Sequence, residues 1–329
     1  MIENNVVDSE LTNEILVSIL VPVYGVESYI ERCAHSLFQQ TFTDIEYIFV
    51  NDCTKDNSIS IITNVLSEYT NRIKNTRIIN HIINKGVSEA RQTALQAAKG
   101  KFILFVDSDD YIELNMVELL YQKAVDTNAD MVLCSFYNEY STKKTTEHIV
   151  KPFRNKIELM QNTYAFPSFW NKLFKRELLT KFKISFPNEI NYGEDLTMTP
   201  RLIYYSSIVA FVEKPLYHYI HYNNQSFTSS FSDNNVEQSL QVIQYLDRFF
   251  ANKVEYKNSI LYLKAIRKAK ILRSGKTGNQ YITLFPEIKK HLNELNLDIK
   301  TKIILQLSEY KTPLLLKLFV KLLLIRSRI

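Results

Sequence analysis

The chain has 329 residues, 46% hydrophobic and 23% charged, an ordinary globular balance that excludes disordered, collagenous and coiled-coil chains. Its length suggests about two domain-sized units, or one large domain with an appendage. The net charge of +5 is unevenly spread: residues 252–329 hold 17 Lys and Arg against 5 Asp and Glu, whereas residues 1–251 hold 23 against 30. A mildly acidic body with a basic tail predicts that the tail meets something anionic, nucleic acid or a membrane surface.

The N-terminus, 1–14, reads as a polar extension without the apolar stretch of a signal peptide. Three cysteines, Cys33, Cys53 and Cys134, lack CxxC spacing, which argues against a zinc site or a disulfide framework. Both features give a cytoplasmic location as the expectation. No uncharged apolar run reaches the roughly 18 residues that a spanning helix needs.

From residue 15 the pattern alternates. Ile15 to Val23 is an almost continuous apolar run, suited to a buried parallel strand. Ile30, Cys33, Ala34, Leu37 and Phe38 then repeat at helical spacing. A strand over 45–50 ends at Asn51-Asp52, and a helix through Ile59, Ile62, Val65, Leu66 and Tyr69 follows, with Asp56 or Asn57 as its cap. A short strand over 77–80 leads through Asn84-Lys85-Gly86 into a helix stopped at Lys99-Gly100. Phe102 to Val106 is a strong strand ending in Asp107-Ser108-Asp109-Asp110, followed by a helix over 115–127 and a strand over 131–136. The order implies a mostly parallel sheet covered on both faces, with ligands bound beyond the carboxyl ends of its strands. From 140 to 230 the pattern is less regular, and from about 235 it is helical throughout.

Asp107 and Asp109, one residue apart on a loop leaving a buried strand, can both reach one divalent cation. Mg²⁺ or Mn²⁺ held there would bridge diphosphate oxygens and offset charge on a leaving nucleotide; the competing reading is a solvated acidic turn. Glu194-Asp195 precedes an amphipathic helix, where acids also favour the positive end of the helix dipole. His218 and His221 sit among tyrosines and read as hydrogen-bonded structural groups or a metal ligand. Trp170 and Lys172 are candidates for an acceptor cleft, against a core role for the lone Trp. Leu314 to Ile325 is apolar except for Lys317 and Lys321 and is closed by Arg326 and Arg328, which suits a helix lying in a membrane interface or one docked on the core.

Residues 17–24, the run Val50-Asn51-Asp52-Cys53-Thr54-Lys55-Asp56-Asn57-Ser58, the run Asn84-Lys85-Gly86-Val87-Ser88-Glu89-Ala90-Arg91 and Phe105-Val106-Asp107-Ser108-Asp109-Asp110 together resemble glycosyltransferase family 2, in the right order. Trp170-Asn171-Lys172-Leu173 and Gly193-Glu194-Asp195 extend the resemblance to about 230. It implies an α/β GT-A fold, Rossmann-like, with a catalytic domain over 15–232 and a helical C-terminal region over 233–329. Within the catalytic domain the nucleotide-sugar half would cover about 15–112 and the acceptor half about 113–232. The implied activity is inverting transfer of a sugar from a nucleotide diphosphate, with a UDP-sugar as the expected donor, to a glycan or lipid-linked acceptor in surface polysaccharide synthesis. By the family pattern Pro22, Val23, Tyr24 and Asp52 hold the base, Asp107 lies near the ribose and Asp109 ligates Mn²⁺ or Mg²⁺; His221, from its place among the tyrosines and not from that pattern, is a further candidate metal ligand or phosphate contact. Ser108 lies between them, Gly86 and Arg91 serve the diphosphate side, and Glu27 matches a common acidic position. Asp195 is the candidate general base, with Glu194 beside it. Cys53 stands where the family usually has Gly, and Gln92 and Ala94 stand where it has Asn and Gly.

The expected partners are the nucleotide-sugar donor, a saccharide or lipid-linked saccharide, and an anionic membrane at its inner face, met by the C-terminal helix; nucleic acid is not expected, because the tail is dominated by Leu and Ile rather than interleaved aromatics. A metal-dependent phosphatase using the same acidic cluster, or a non-catalytic basic binding protein, are the alternatives. A phosphatase would place that motif on an early first strand. No GxGxxG follows a strand, which disfavours a dehydrogenase.

Overall fold

The computed structural model describes residues 15–142, 144–165, 167–187, 189–223, 231–309 and 313–326; the expected N-terminal extension and Arg328 lie outside the described residues. Four strands, β1 (Val17–Val23), β2 (Ile45–Asn51), β3 (Thr76–Asn80) and β4 (Phe102–Phe105), alternate with helices α1 (Ile30–Phe38), α2 (Ser58–Ser67) and α3 (Val87–Ala97). They pair in parallel in the order β3-β2-β1-β4. Successive residues from Val17 to Val21 are all fully buried, so both sheet faces are covered, as a continuous apolar run requires. α1 turns Ile30, Cys33, Ala34, Leu37 and Phe38 inward, the face its spacing predicts.

The sheet then changes character. β5 (Tyr111–Ile112), α4 (Met116–Thr127), β6 (Met131–Glu139), β7 (Thr145–His148), α5 (Lys156–Ala165), β8 (Lys172–Lys175), α6 (Glu177–Phe182), α7 (Glu194–Tyr205) and β9 (Val209–Ile220) follow. They continue the sheet as β4-β8-β6-β9-β5, with β7 beside β6. β6 and β9 run with the first four strands, whereas β5, β7 and β8 run against them. β9, the longest strand, lies in the stretch whose sequence pattern looked irregular. Its alternation is broken at Glu213-Lys214-Pro215, where the pairing with β6 shifts register twice. A proline cannot donate to a sheet ladder, so the strand accommodates it at a bulge.

The remainder is helical, as expected: α8 (Asp233–Phe250), α9 (Lys257–Arg273), the single turns α10 (Asn279–Ile282) and α11 (Ile288–His291), α12 (Ile299–Glu309) and α13 (Pro313–Arg326). Ser232 caps α8 by accepting the Asn235 N–H (3.2 Å). Val242, Leu246, Phe250, Ile260 and Leu263 join the core of the sheet, so that core continues past residue 232. Leu261, Ala265, Ala269 and Leu272 of α9 build a second core with Ile304 and Leu305 of α12 and Leu316 and Val320 of α13. Several basic residues of the tail are spent on ion pairs: Lys264 with Asp247 and Glu287, and Lys268 with Glu309. On α13, Leu315, Leu318 and Leu322 remain exposed beside Lys317 and Lys321. One face of this helix is therefore docked on the core and another is open. No helix among the described residues is long and apolar enough to cross a membrane.

The buried Glu46 carboxylate fixes β1 against the turn into β4. It accepts from Ser18 Oγ (2.6 Å), from the backbone N–H groups of Lys99 (2.5 Å) and Gly100 (3.1 Å), and pairs with Arg77 (2.6 Å). A Cβ on Gly100 would lie 2.6 Å from the Ser18 nitrogen and 2.8 Å from the Val17 carbonyl carbon, so the glycine permits this approach. Gly100→Ala is expected to destabilise the fold by about 1–3 kcal/mol in urea denaturation, the cost of forcing atoms into a filled space. An unchanged midpoint would show that β1 can yield.

Candidate active site

A cavity of about 1030 Å³ opens beyond the carboxyl ends of β1, β2 and β4. The loops that form its floor are tied together. Gly25 N–H donates to Thr54 Oγ1 (2.9 Å), Glu27 N–H to Asp56 Oδ2 (3.0 Å), and Asn57 N–H to Glu27 Oε2 (3.0 Å). Pro22, Val23, Tyr24 and Asp52 line the cavity. Glu27 does not; it is an exposed clamp on the first turn of α2. Asp56 accepts from Ser58 N–H (3.2 Å) and Oγ (2.7 Å), supplying the cap that Asn57's side chain does not make. Cys53 adopts φ +60°, so this position keeps the left-handed backbone although it carries a side chain.

Asp52, 3% exposed, organises the turn before α3. Its Oδ2 accepts from Gly86 N–H (2.7 Å), and its Oδ1 from Lys85 N–H (2.8 Å) beside the His81 ring (2.7 Å). Gly86 takes φ +88°, and a Cβ there would collide with the Asn191 side chain, so this corner of the cavity requires glycine.

The acidic run divides its labour. Asp107, Ser108 and Asp109 line the cavity. Asp110 is fully buried, accepting from Tyr217 Oη–H (2.7 Å) and Ile220 N–H (2.8 Å), and so anchors the loop to β9. The Tyr217 hydroxyl in turn accepts the Asp107 N–H (3.1 Å). Asp109 Oδ2 accepts from Asn223 Nδ2 (2.8 Å). Burial first, and then the neighbouring Asp107, push the Asp109 carboxyl up from the ordinary range.

Arg91, on α3, reaches both sets of acids. Its Nη2 is 2.6 Å from Asp107 Oδ1, and its Nη1 pairs with Glu194 on α7. Burial acts to depress this guanidinium, but Asp107, Glu194 and Asp195 outweigh it and hold its pKa above the usual value. Its Nε is buried and unpartnered among the described residues. Glu194 and Asp195 are both raised, by burial above all, with Arg91 opposing. Among the described residues Asp195 Oδ1 accepts the N–H of its own neighbour Leu196 (2.7 Å), and Asp195 lines the cavity. The adjacent acids thus differ: one is bound to a cation, the other faces open space.

Among the described residues no three His, Cys, Asp or Glu side chains converge closely enough to hold an ion. His221 lines the cavity, but its Nε2 is paired with Asn138 Oδ1 (2.8 Å) and its ring stacks on Tyr140 (4.6 Å); the structure does not gather it with Asp107 and Asp109 around one point. Those two carboxylates still fit Mg²⁺ or Mn²⁺, whose sites take one or two protein carboxylates and complete the shell with phosphates and water. Their crowding, seen in the raised Asp109, is what a cation would relieve.

Trp170 lines the cavity while stacking on Tyr217 (4.3 Å) and Tyr219 (5.3 Å). Lys172 does not reach it. Its buried ammonium donates to the Ser168 carbonyl (2.5 Å) and Asn171 Oδ1 (2.7 Å), and burial holds its pKa down at about 8. Sequence reasoning missed a whole wall: Arg267, Lys270 and Arg273 of α9 line the same cavity. The one signal was that α9 carries basic residues on every side of a helix whose apolar positions also run all round it.

The family model described as Glycosyl transferase family 2 matches residues 18–182, about half of the chain. The chain belongs to glycosyltransferase family 2. Similar proteins include the uncharacterized glycosyltransferase EpsJ of Bacillus subtilis, 37% identical over 189 residues, which are 55% of this chain and 54% of EpsJ. A poly(ribitol-phosphate) beta-glucosyltransferase of Bacillus spizizenii is 33% identical over 186 residues, 56% of this chain and 28% of that protein. The matches thus span about half of the length of the first of these relatives and less of the second. Residues 1–349 of S. aureus TarS, solved in complex with UDP-GlcNAc, superpose with a TM-score of 0.63 at 18% identity, covering 93% of this chain and 90% of that one. A mannosyltransferase of Pyrobaculum calidifontis, solved with GDP-Man and Mn²⁺, gives 0.51 at 14% identity, covering 93% and 84%. The fold is therefore GT-A, a mostly parallel sheet with added C-terminal helices.

Arg91→Met would strip the buried Glu194 and the partly exposed Asp107 of their cation and is expected to cost about 3–5 kcal/mol at pH 7. Glu194, already raised, would be raised further, so the native state would hold a proton that the unfolded chain releases. The stabilisation it contributes is fully present below the unfolded value of about 4.3 and is lost as pH rises through the folded one. Urea melts should show the deficit shrinking between pH 7 and pH 5; a deficit independent of pH would mean that the acids are not the reason.

Proposed function

We propose that the chain transfers a sugar from a nucleotide diphosphate, a UDP-sugar, to a hydroxyl of a saccharide or lipid-linked saccharide, with inversion, in the synthesis of a surface polysaccharide. The observation that carries this reading is that Asp107 and Asp109 on one element and Asp195 on another line a single cavity, across which Arg91 pairs with Asp107 and with Glu194, the neighbour of Asp195. Pro22, Val23 and Tyr24 line the part of the cavity proposed for the base, and Asp52 shapes the turn that brings Gly86 toward the diphosphate. Asp109, with Asp107 beside it, would hold Mn²⁺ or Mg²⁺. Bound there, the ion would neutralise charge on the departing diphosphate.

Asp195 removes the proton from the acceptor hydroxyl. The new bond forms at the anomeric carbon as its bond to the diphosphate oxygen breaks, and the nucleotide leaves with the electron pair. A base whose pKa is raised toward neutrality is better matched to this proton transfer, and burial raises Asp195. Glu194, paired with Arg91, positions that end of α7. Trp170, stacked on Tyr217 and Tyr219, backs the acceptor side of the cavity in this reading.

Release of free nucleotide from UDP-, GDP- and dTDP-sugars, with and without Mn²⁺, tests the reading: turnover is expected with UDP-sugars and metal. Asp195→Asn should retain donor affinity and lose about 10²–10⁴ in transfer rate. In the parent protein the acid limb of kcat/KM should lie above the ordinary Asp value of about 3.9, rising with pH as the base deprotonates. Near-normal transfer by the variant would move the role away from Asp195.

The open face of α13 is proposed to rest on the anionic inner face of a membrane. Leu315, Leu318 and Leu322 would insert while Lys317 and Lys321 meet headgroups. Replacing the three leucines by serine should abolish cosedimentation with anionic vesicles without unfolding the chain, because the helix docks through Leu316 and Val320 instead. Persistent cosedimentation would remove the membrane role.

A further inference from the structure

Arg267, Lys270 and Arg273 lie three residues apart along α9 and line the cavity. Arg267 is only 9% exposed, and the described residues give its guanidinium no hydrogen bond or ion pair. The little exposure it keeps is toward the cavity it lines, where an anionic group would meet the fork and offset its loss of hydration. Lys270 opens onto the cavity, donating to the Tyr192 hydroxyl (2.8 Å) and lying 5.4 Å from its ring. Arg273 is held by Thr301 Oγ1 (2.6 Å), faces Asp298 at 3.5 Å, and keeps a buried Nε unpartnered among the described residues. Arg267 and Lys270 bear on each other as like charges, and Asp195 is the carboxylate that attracts both. The acids on the other element, Asp107 and Asp109, have their own cation in Arg91.

We propose that this side of α9 is an anion subsite for the acceptor: Arg267 and Lys270, with Arg273 at its edge, hold a phosphate group carried by the saccharide whose hydroxyl Asp195 deprotonates. The assignment rests on the reading of Asp195 as the base and of Asp107 and Asp109 as the donor end. An arginine fork and a lysine ammonium suit phosphate oxygens, through charge-assisted bonds that a neutral sugar cannot make. Placing the group beside Asp195 also fixes which hydroxyl of the acceptor is presented.

Calorimetry on the full chain saturated with UDP and Mn²⁺, titrated with glycerol 3-phosphate and with glycerol, tests the subsite. The phosphate ester is expected to bind and glycerol not. Arg267→Gln and Lys270→Gln should each weaken the ester by about tenfold or more. Their affinity for UDP should stay unchanged, and Arg267→Lys should recover part of the loss. Because Arg267 is buried and its variant can misfold, Lys270→Gln at an exposed position serves as the second variant, with thermal melts compared. Undiminished ester binding in both variants would overturn the subsite. A parallel fall in UDP affinity would also overturn it, assigning α9 to the donor. A wild type that ignores UDP but takes glycerol 3-phosphate through Arg267 would overturn the nucleotide-sugar reading and retain the anion site.

Discussion

The two ends of the cavity are held in register by one buried cation. Arg91 extends from α3 and pairs with Asp107, at the end of β4, and with Glu194, at the start of α7. These acids come from distant parts of the chain, which polar contacts such as Phe186 N–H to Gln92 Oε1 (3.1 Å) also tie together, beside apolar packing whose attraction has no direction. The guanidinium supplies the direction, since its planar fork fixes where both carboxylates lie. It is also outnumbered. With Asp195 and Asp109 nearby, one arginine cannot compensate every acid around it, and burial raises those left over. Asp109 and Asp195 thus stand in the same cavity with carboxyls that burial raises despite the cations near them.

The rest of the framework keeps that arrangement rigid. Asp110 ties the acidic loop to β9, and Asp52 ties the turn bearing Gly86 to the end of β2. Both are buried carboxylates satisfied by several donors, the condition under which such groups specify geometry rather than merely cost stability. Glu46 does the same at the far end of β1. Acidic residues in this chain therefore fall into those that build loops and those that face the cavity, and position relative to a strand end does not separate them.

That division explains what could be read beforehand. The strands β1, β2 and β4, the inward face of α1 and the polar residues at strand ends were legible, because continuous burial and helical spacing leave direct traces in sequence. Asp107 and Asp109 were distinguishable as a pair, but nothing local marked Asp110 as an anchor for a strand more than a hundred residues away. Glu27 and Lys172 looked like cavity residues by position in a motif, yet hydrogen bonds turn one toward α2 and the other into the core. β9 was hidden by the proline that its bulge absorbs. The wall formed by α9 was illegible for a different reason. Lysines and arginines on a late helix look solvated or membrane-facing, and only the folding of α9 between two hydrophobic clusters brings three of them to the cavity.

The span matched by the family model ends at residue 182, ahead of α7 and well ahead of α9. The loops that line the cavity floor lie inside that span, whereas Asp195 and the basic wall lie beyond it. With α9 as an acceptor subsite, the choice of acceptor is written in a stretch of chain that can drift, be exchanged or be redesigned while the nucleotide end is left alone. On that proposal the donor end and the acceptor end are encoded one after the other, and α9 is the segment to replace when a different acceptor is wanted.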